Sequence, residues 1–220
     1  GGAGAQEKKA EVPAAEVMPL WPGEPLGGTK DGFIPTLTRY PHADDAVRGA
    51  VIVVPGGGYA GRADHEREPI ARFFEAAGLQ TFVLDYRVSP NRHPAPLSDA
   101  QRAIRMVRSR AKEWHVNPDK IAILGFSAGG HLTASTGVFF DGGDPQSEDA
   151  VARCSSRPDA LVLCYAVISS GPKGHQGSID NLLGANASAA DREQMSLDKQ
   201  VKADTPPTFL WSTADDAAVP

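Results

Sequence analysis

Ile121-Ala122-Ile123-Leu124-Gly125-Phe126-Ser127-Ala128-Gly129-Gly130-His131 is the stretch that decides the fold. Its apolar first half predicts a buried strand, and the Gly-x-Ser-x-Gly pentad that follows opens a helix-like stretch over residues 131–140. A serine at such a strand-to-helix junction sits on a strained turn. Flanking glycines let strand and helix approach while the hydroxyl stands clear of the sheet edge, which makes Ser127 a candidate nucleophile. The pentad alone carries little. With Gly and Ser each near ~7% of residues, a chain of this size would hold one by accident about one time in ten.

Outward from this junction the chain alternates between strand and helix. Ala50-Val51-Ile52-Val53-Val54 is a β-branched run ended by Pro55 and three glycines. A helix follows, with Pro69 in its first turn, Ile70, Phe73, Phe74 and Ala77 at helical spacing, and Gly78 as its stop. Thr81–Tyr86 is the next strand. Ser98-Asp99-Ala100-Gln101 has the form of a capping box before Ala100, Ala103, Ile104, Val107, Ala111 and Trp114, while Arg102, Arg105, Arg108 and Arg110 read as that helix's solvated face. Further strands are expected at Ala160–Tyr165 and Thr208–Trp211. The alternation implies an α/β fold with a mostly parallel sheet covered by helices on both faces.

Composition narrows the function. The 220 residues carry a formal charge of −5 with no long basic stretch, which excludes a nucleic-acid footprint. No apolar run approaches the ~20 residues that span a bilayer. Cys154 and Cys164 are too few for a disulfide scaffold or a zinc site; Cys164, in an apolar run, reads as a buried thiol, and a bridge between the two stays open for an exported protein. Residues 1–28 are polar and Ala/Pro-rich and read as a flexible N-terminal segment ahead of a domain over 29–220. Their Gly-Gly-Ala-Gly-Ala start fits the remnant of a cleaved signal peptide and hence a secreted or periplasmic protein; the alternative is a cytoplasmic one.

In open α/β sheets, sites form beyond the C-terminal ends of strands. Three such junctions carry chemistry. Pro55-Gly56-Gly57-Gly58-Tyr59 offers backbone N–H groups unobstructed by side chains. Ala128 N–H begins a helix beside Ser127 and adds the helix dipole there. After Thr208–Trp211, Asp215 and Asp216 precede Val219-Pro220. Together these form most of an acyl-transfer site.

The chain resembles the α/β-hydrolase superfamily, and within it the small acetyl-esterase/lipase branch that includes acetylxylan esterase-like carbohydrate esterases. The resemblance rests on Gly125–His131, on Asp85-Tyr86-Arg87, on His93–Ala103, on His175-Gln176-Gly177-Ser178, and on Pro206–Trp211 leading to Asp215-Asp216. It implies a serine esterase acting on short-chain, acetyl-type esters of small molecules or acetylated plant polysaccharides, through an acyl-enzyme on Ser127. Gly57, Gly58 and Ala128 would supply the oxyanion hole, and Asp216, or alternatively Asp215, the triad acid. Tyr59, His175 and the 166–205 connection would wall the pocket. No metal or organic cofactor is implied; Asp141-Gly142-Gly143-Asp144 lacks the spacing of a calcium loop.

The chain also departs from the family pattern. Pro55 stands where many relatives place His before the glycines, and Ser212 where they often place His after the acid strand. In the order Ser…Asp…His the base follows the acid by tens of residues. Residues 1–220 therefore read as a fold lacking the last strand and C-terminal helix, with no catalytic His present. His131, one turn beyond Ser127, is expected to face the sheet or a loop carbonyl, and His42, His65, His93 and His115 are not placed to replace the base. A catalytically silent binding module of the same fold is the competing reading, and a serine peptidase of this fold a third.

Overall fold

A computed structural model describes residues 10–219. Seven strands, β1 (Glu16–Pro19), β2 (Thr36–Tyr40), β3 (Arg48–Val54), β4 (Gln80–Asp85), β5 (Val116–Phe126), β6 (Ala160–Cys164) and β7 (Thr208–Trp211), form one sheet. Their spatial order is β1-β2-β4-β3-β5-β6-β7. From β4 to β7 every pairing is parallel, and β1 and β2 add an antiparallel edge. The helices are α1 (Glu68–Ala76), α2 (Ala95–Ser109), α3 (Ala128–Val138), α4 (Gln176–Leu183) and α5 (Ala189–Gln194).

Side chains alternate across the central strands. Ala50, Ile52 and Val54 of β3 join Ile121 and Ile123 of β5 in the larger core, which α2 and α3 cover. Val51, Val53, Leu124 and Phe126 point the other way, where Ala71, Ile70 and Phe74 of α1 pack. Burial on both faces explains why these strands read as continuous apolar runs.

Four expectations are corrected. Residues 1–9 of the segment read as flexible lie outside the described residues, but residues 10–28 include β1, and Leu20 is buried. Polar composition concealed this because the segment is held by backbone groups: Arg87 Nη1 donates to the carbonyls of Leu26 and Gly28, and Arg102 Nε to that of Leu20. Secondly, Ser98-Asp99 is no cap. Helix α2 starts at Ala95 with Pro96 in its first turn, and Asp99 is fully buried against Arg87. Thirdly, the arginine row of α2 is not a solvated face. Arg105 pairs with Asp141 and the Cys154 carbonyl, Arg108 with Asp159 and the Ser155 carbonyl, and Arg102 with Asp149, so that the row staples the 141–159 loop to the helix. Finally, Phe73 is 68% exposed rather than part of the apolar face of α1. Cys154 and Cys164 are free thiols, and burial pushes the Cys164 thiol up.

Candidate active site

Ser127 is where β5 turns into α3. Its backbone has φ 53° and ψ −119°, a conformation that L-residues rarely hold unless their surroundings enforce it. The enforcement is visible. Ser127 N–H donates to the Cys164 carbonyl of β6 at 3.0 Å, and its carbonyl accepts from His131 N at 3.1 Å and Val167 N at 3.0 Å. The glycines make the turn spatially feasible: a Cβ on Gly125 would stand 2.2 Å from the Gly129 carbonyl oxygen, and one on Gly129 2.4 Å from those of Val54 and Pro55. The side chain of Ser127 is half-buried at the sheet's C-terminal edge.

The glycine loop after β3 lies against this turn. A Cβ on Gly56 would be 3.2 Å from Ser127 Cβ and 2.7 Å from the Phe126 carbonyl oxygen. The loop's amide directions follow from where its carbonyls are held. Ala63 N–H donates to the Gly56 carbonyl at 2.9 Å, and Ala60 and Gly61 N–H to the Gly57 carbonyl at 3.0 Å. In a trans peptide the N–H points opposite to the preceding C=O, so these bonds turn the Gly57 and Gly58 amides the other way. The same logic turns Ala128 N–H away from the captured Ser127 carbonyl. Among the described residues, no protein acceptor takes the Gly57, Gly58 or Ala128 N–H. Three donors flank one serine.

Two aspartates follow β7. Asp216 Oδ1 accepts from Ala218 N and Val219 N at 2.9 Å each, which fixes its carboxylate within a turn, whereas Asp215 is exposed. The geometry therefore distinguishes the two: backbone amides orient the Asp216 carboxylate, and the Asp215 side chain stands exposed. The histidines are otherwise engaged. His42 Nε2 meets the Leu79 carbonyl, His115 sits 3.4 Å from Asp45, and His65 is a surface residue 3.9 Å from Glu66. His131 contacts the Met195 carbonyl and Tyr59, and burial lowers its pKa to about 4. His93 donates its backbone N–H to the Leu182 carbonyl. None bonds Ser127.

The two expected pocket residues separate. Tyr59 is 1% exposed, and its phenol meets His131 Nδ1 at 2.8 Å. It is a buried brace of the glycine loop and not a pocket wall, since its side chain turns inward to His131 from a left-handed backbone with φ 57°. His175 caps α4, with Nδ1 accepting from Ser178 N, and lines a cavity of about 260 Å³ together with Tyr165, Lys173, Trp211 and Thr213.

Other members of the site were given no role from the sequence, although the Asp85-Tyr86-Arg87 motif marked one of them. Tyr86 of the Asp85-Tyr86-Arg87 motif donates its hydroxyl to the Pro55 carbonyl at 2.6 Å, which steadies the loop that lacks a leading His. Asn181 Nδ2 donates to the Gly58 carbonyl at 2.8 Å. Glu66, 5% exposed, accepts from Tyr165 OH at 2.9 Å, and its Oε1 lies 3.1 Å from where a Gly56 Cβ would stand. Burial and this bond push the Tyr165 phenol pKa up.

Comparison with known proteins bears on the family and the fold. The BD-FAE family model matches residues 39–220. The crystal structure of an acetyl ester-xyloside bifunctional hydrolase from Caldicellulosiruptor lactoaceticus superposes with a TM-score of 0.92 at 45% identity, over 96% of this chain and 79% of that one. An endo-1,4-beta-xylanase B of Butyrivibrio fibrisolvens is 42% identical over 86% of this chain and 30% of its own length. An acetylxylan esterase of Xylanibacter ruminicola is 32% identical over 78% of this chain and 34% of its own length. The chain thus spans about a third of these two curated relatives.

Proposed function

This chain belongs to the BD-FAE family of α/β-hydrolase fold, and from that membership we propose that it is a serine esterase that hydrolyses short-chain, acetyl-type carboxylic esters, including those on acetylated plant polysaccharides. The observation that carries the reading is the strained Ser127 turn flanked by the unclaimed Gly57, Gly58 and Ala128 amides. Ser127 Oγ attacks the ester carbonyl carbon. The developing oxyanion collects the three N–H donors, which are oriented before substrate arrives and so cost no reorganisation. The Oγ proton passes through an imidazole to the leaving alkoxide, and water then hydrolyses the acyl-enzyme by the same route in reverse. Asp216, held by two backbone amides, orients that imidazole. Among the described residues no histidine ring bonds Ser127 or Asp216, so the mechanism calls for an imidazole that these histidines do not supply. A secreted or periplasmic location, where polysaccharide is met, belongs to the same proposal and is tested by cell fractionation.

The test is hydrolysis of nitrophenyl acetate by the full-length protein and its Ser127→Ala variant. Loss of a triad nucleophile costs about 10⁶-fold in well-developed serine hydrolases, so a fall of at least about 10³ is expected. A variant as active as the parent removes Ser127 from the chemistry. A parent that hydrolyses no ester, with its serine unreactive toward a fluorophosphonate, leaves the silent-module reading in its place.

A further inference from the structure

Tyr59 ends the glycine loop, His131 lies one turn into α3, and Met195 follows α5 in the 166–205 connection; one buried chain of hydrogen bonds joins all three. Tyr59 OH and His131 Nδ1 are 2.8 Å apart, and His131 Nε2 and the Met195 carbonyl oxygen 2.8 Å. Tyr59 is 1% exposed and His131 fully buried. A carbonyl only accepts, so Nε2 must carry the ring proton. Nδ1 is then an acceptor and the phenol its donor. The ring is locked in one neutral tautomer by two partners on different elements.

Each end of this chain bears on the amides beside Ser127. Tyr59 follows Gly58 directly, so fixing its side chain fixes the rotation of the loop's last peptide units. Its own carbonyl accepts from Ser89 N at 2.8 Å, and the Gly58 carbonyl from Asn181. The loop therefore has a backbone anchor on one side and a side-chain anchor on the other. His131 N–H, moreover, bonds the Ser127 carbonyl that sets the direction of Ala128 N–H.

We infer that His131 is a positioning residue of the oxyanion hole: through Tyr59 it sets the angle at which the Gly57 and Gly58 amides meet the reacting carbonyl, while the Met195 carbonyl fixes the ring tautomer that accepts from Tyr59. The inference rests on the esterase reading for its kinetic consequence and on the hydrogen-bond geometry alone for its structural one. Donors that serve only the transition state change kcat when misaligned and leave ground-state binding alone.

Three variants of the full-length protein test it. Tyr59→Phe removes the phenol. His131→Gln keeps a donor where Nε2 stands but no acceptor at Nδ1, and His131→Asn keeps an acceptor at Nδ1 but no donor at Nε2. Loss of a whole oxyanion donor costs about 10²–10³ in kcat, and a displaced donor part of that. Tyr59→Phe and His131→Gln should lose about ten-fold or more in kcat with KM within about two-fold, while His131→Asn stays within about three-fold of the parent. A purely structural histidine would not sort Gln from Asn in this way. Equal losses in the two, or an unchanged kcat in Tyr59→Phe, overturn the inference. Should the His131 variants fail to fold, Tyr59→Phe and the ring ¹⁵N spectrum of His131 decide. A proton on Nε2 with a bonded, unprotonated Nδ1 is expected, and a proton on Nδ1 or a charged ring overturns the relay. An esterase-inactive parent that shows the expected tautomer sinks the esterase reading and leaves the relay standing.

Discussion

Gly57 is the residue at which backbone and chemistry are most tightly joined. Its φ of 139° is a glycine conformation, and a Cβ there would stand 2.3 Å from the Gly61 carbonyl oxygen. Gly57→Ala must therefore move the loop that carries two of the three donors. The expected outcome is a loss of about 10² in kcat, with KM little changed, measured on nitrophenyl acetate. His131 makes a separate prediction in pH. Burial lowers its folded pKa from 6.5 to about 4, so the unfolded chain takes up a proton across that window and the folded one does not. The stability this neutral ring contributes is complete above pH 6.5 and is lost as pH falls towards 4. The difference amounts to roughly 3 kcal/mol. Urea midpoints for the parent and for His131→Asn between pH 7 and 4.5 isolate it, because other groups titrate alike in both. Profiles with equal slopes would remove the effect from His131.

At the scale of elements, α2 shows how far a charged row can differ from a solvated one. The Arg87–Asp99 pair is fully buried, and Asp99 also accepts from Arg87 N and Trp21 Nε1. Asp99→Asn leaves the guanidinium without its counter-charge in the interior, and breaking such a pair typically costs about 3–5 kcal/mol. Arg110, at the C-cap of the same helix, pairs with the exposed Glu113, and Glu113→Gln, which removes only that ion pair, should cost under about 1 kcal/mol. Denaturant titration of the two variants measures the contrast between a buried and a surface ion pair, and similar losses would overturn it. The periodicity of Ala100, Ala103, Ile104 and Val107 marked this helix correctly in the sequence. It could not say what the polar positions face, because period 3.6 describes one stripe and the opposite side here meets a loop 40 to 50 residues away.

Over the whole molecule, the parallel strands β3 and β5 lie at the centre of the sheet with residues near 0% exposed, whereas β1 is an edge strand with mostly exposed side chains. Amide exchange should be slowest at Val51–Val54 and Ile121–Leu124 and faster by orders of magnitude at Glu16–Pro19. Equal protection would mean that the edge is held by more than its β2 partner. The central strands, the elbow serine and the glycine loop were all legible in the residues, since apolar runs ended by glycine and a Gly-x-Ser-x-Gly junction are local patterns with local steric causes. β1 and β2 were not, because short, partly polar edge strands take their structure from a neighbour and not from their own composition. The same division runs through the site. Sequence by itself determined the α/β alternation, the strained position of Ser127 and the small residues that leave its donors uncovered, all of which are consequences of chain stereochemistry within a few residues. Only the tertiary structure decided that Tyr59 turns inward to His131 and that Glu66, Tyr86 and Asn181 stand around the loop. Those are hydrogen bonds between groups tens of residues apart, and their partners become neighbours only when the sheet closes.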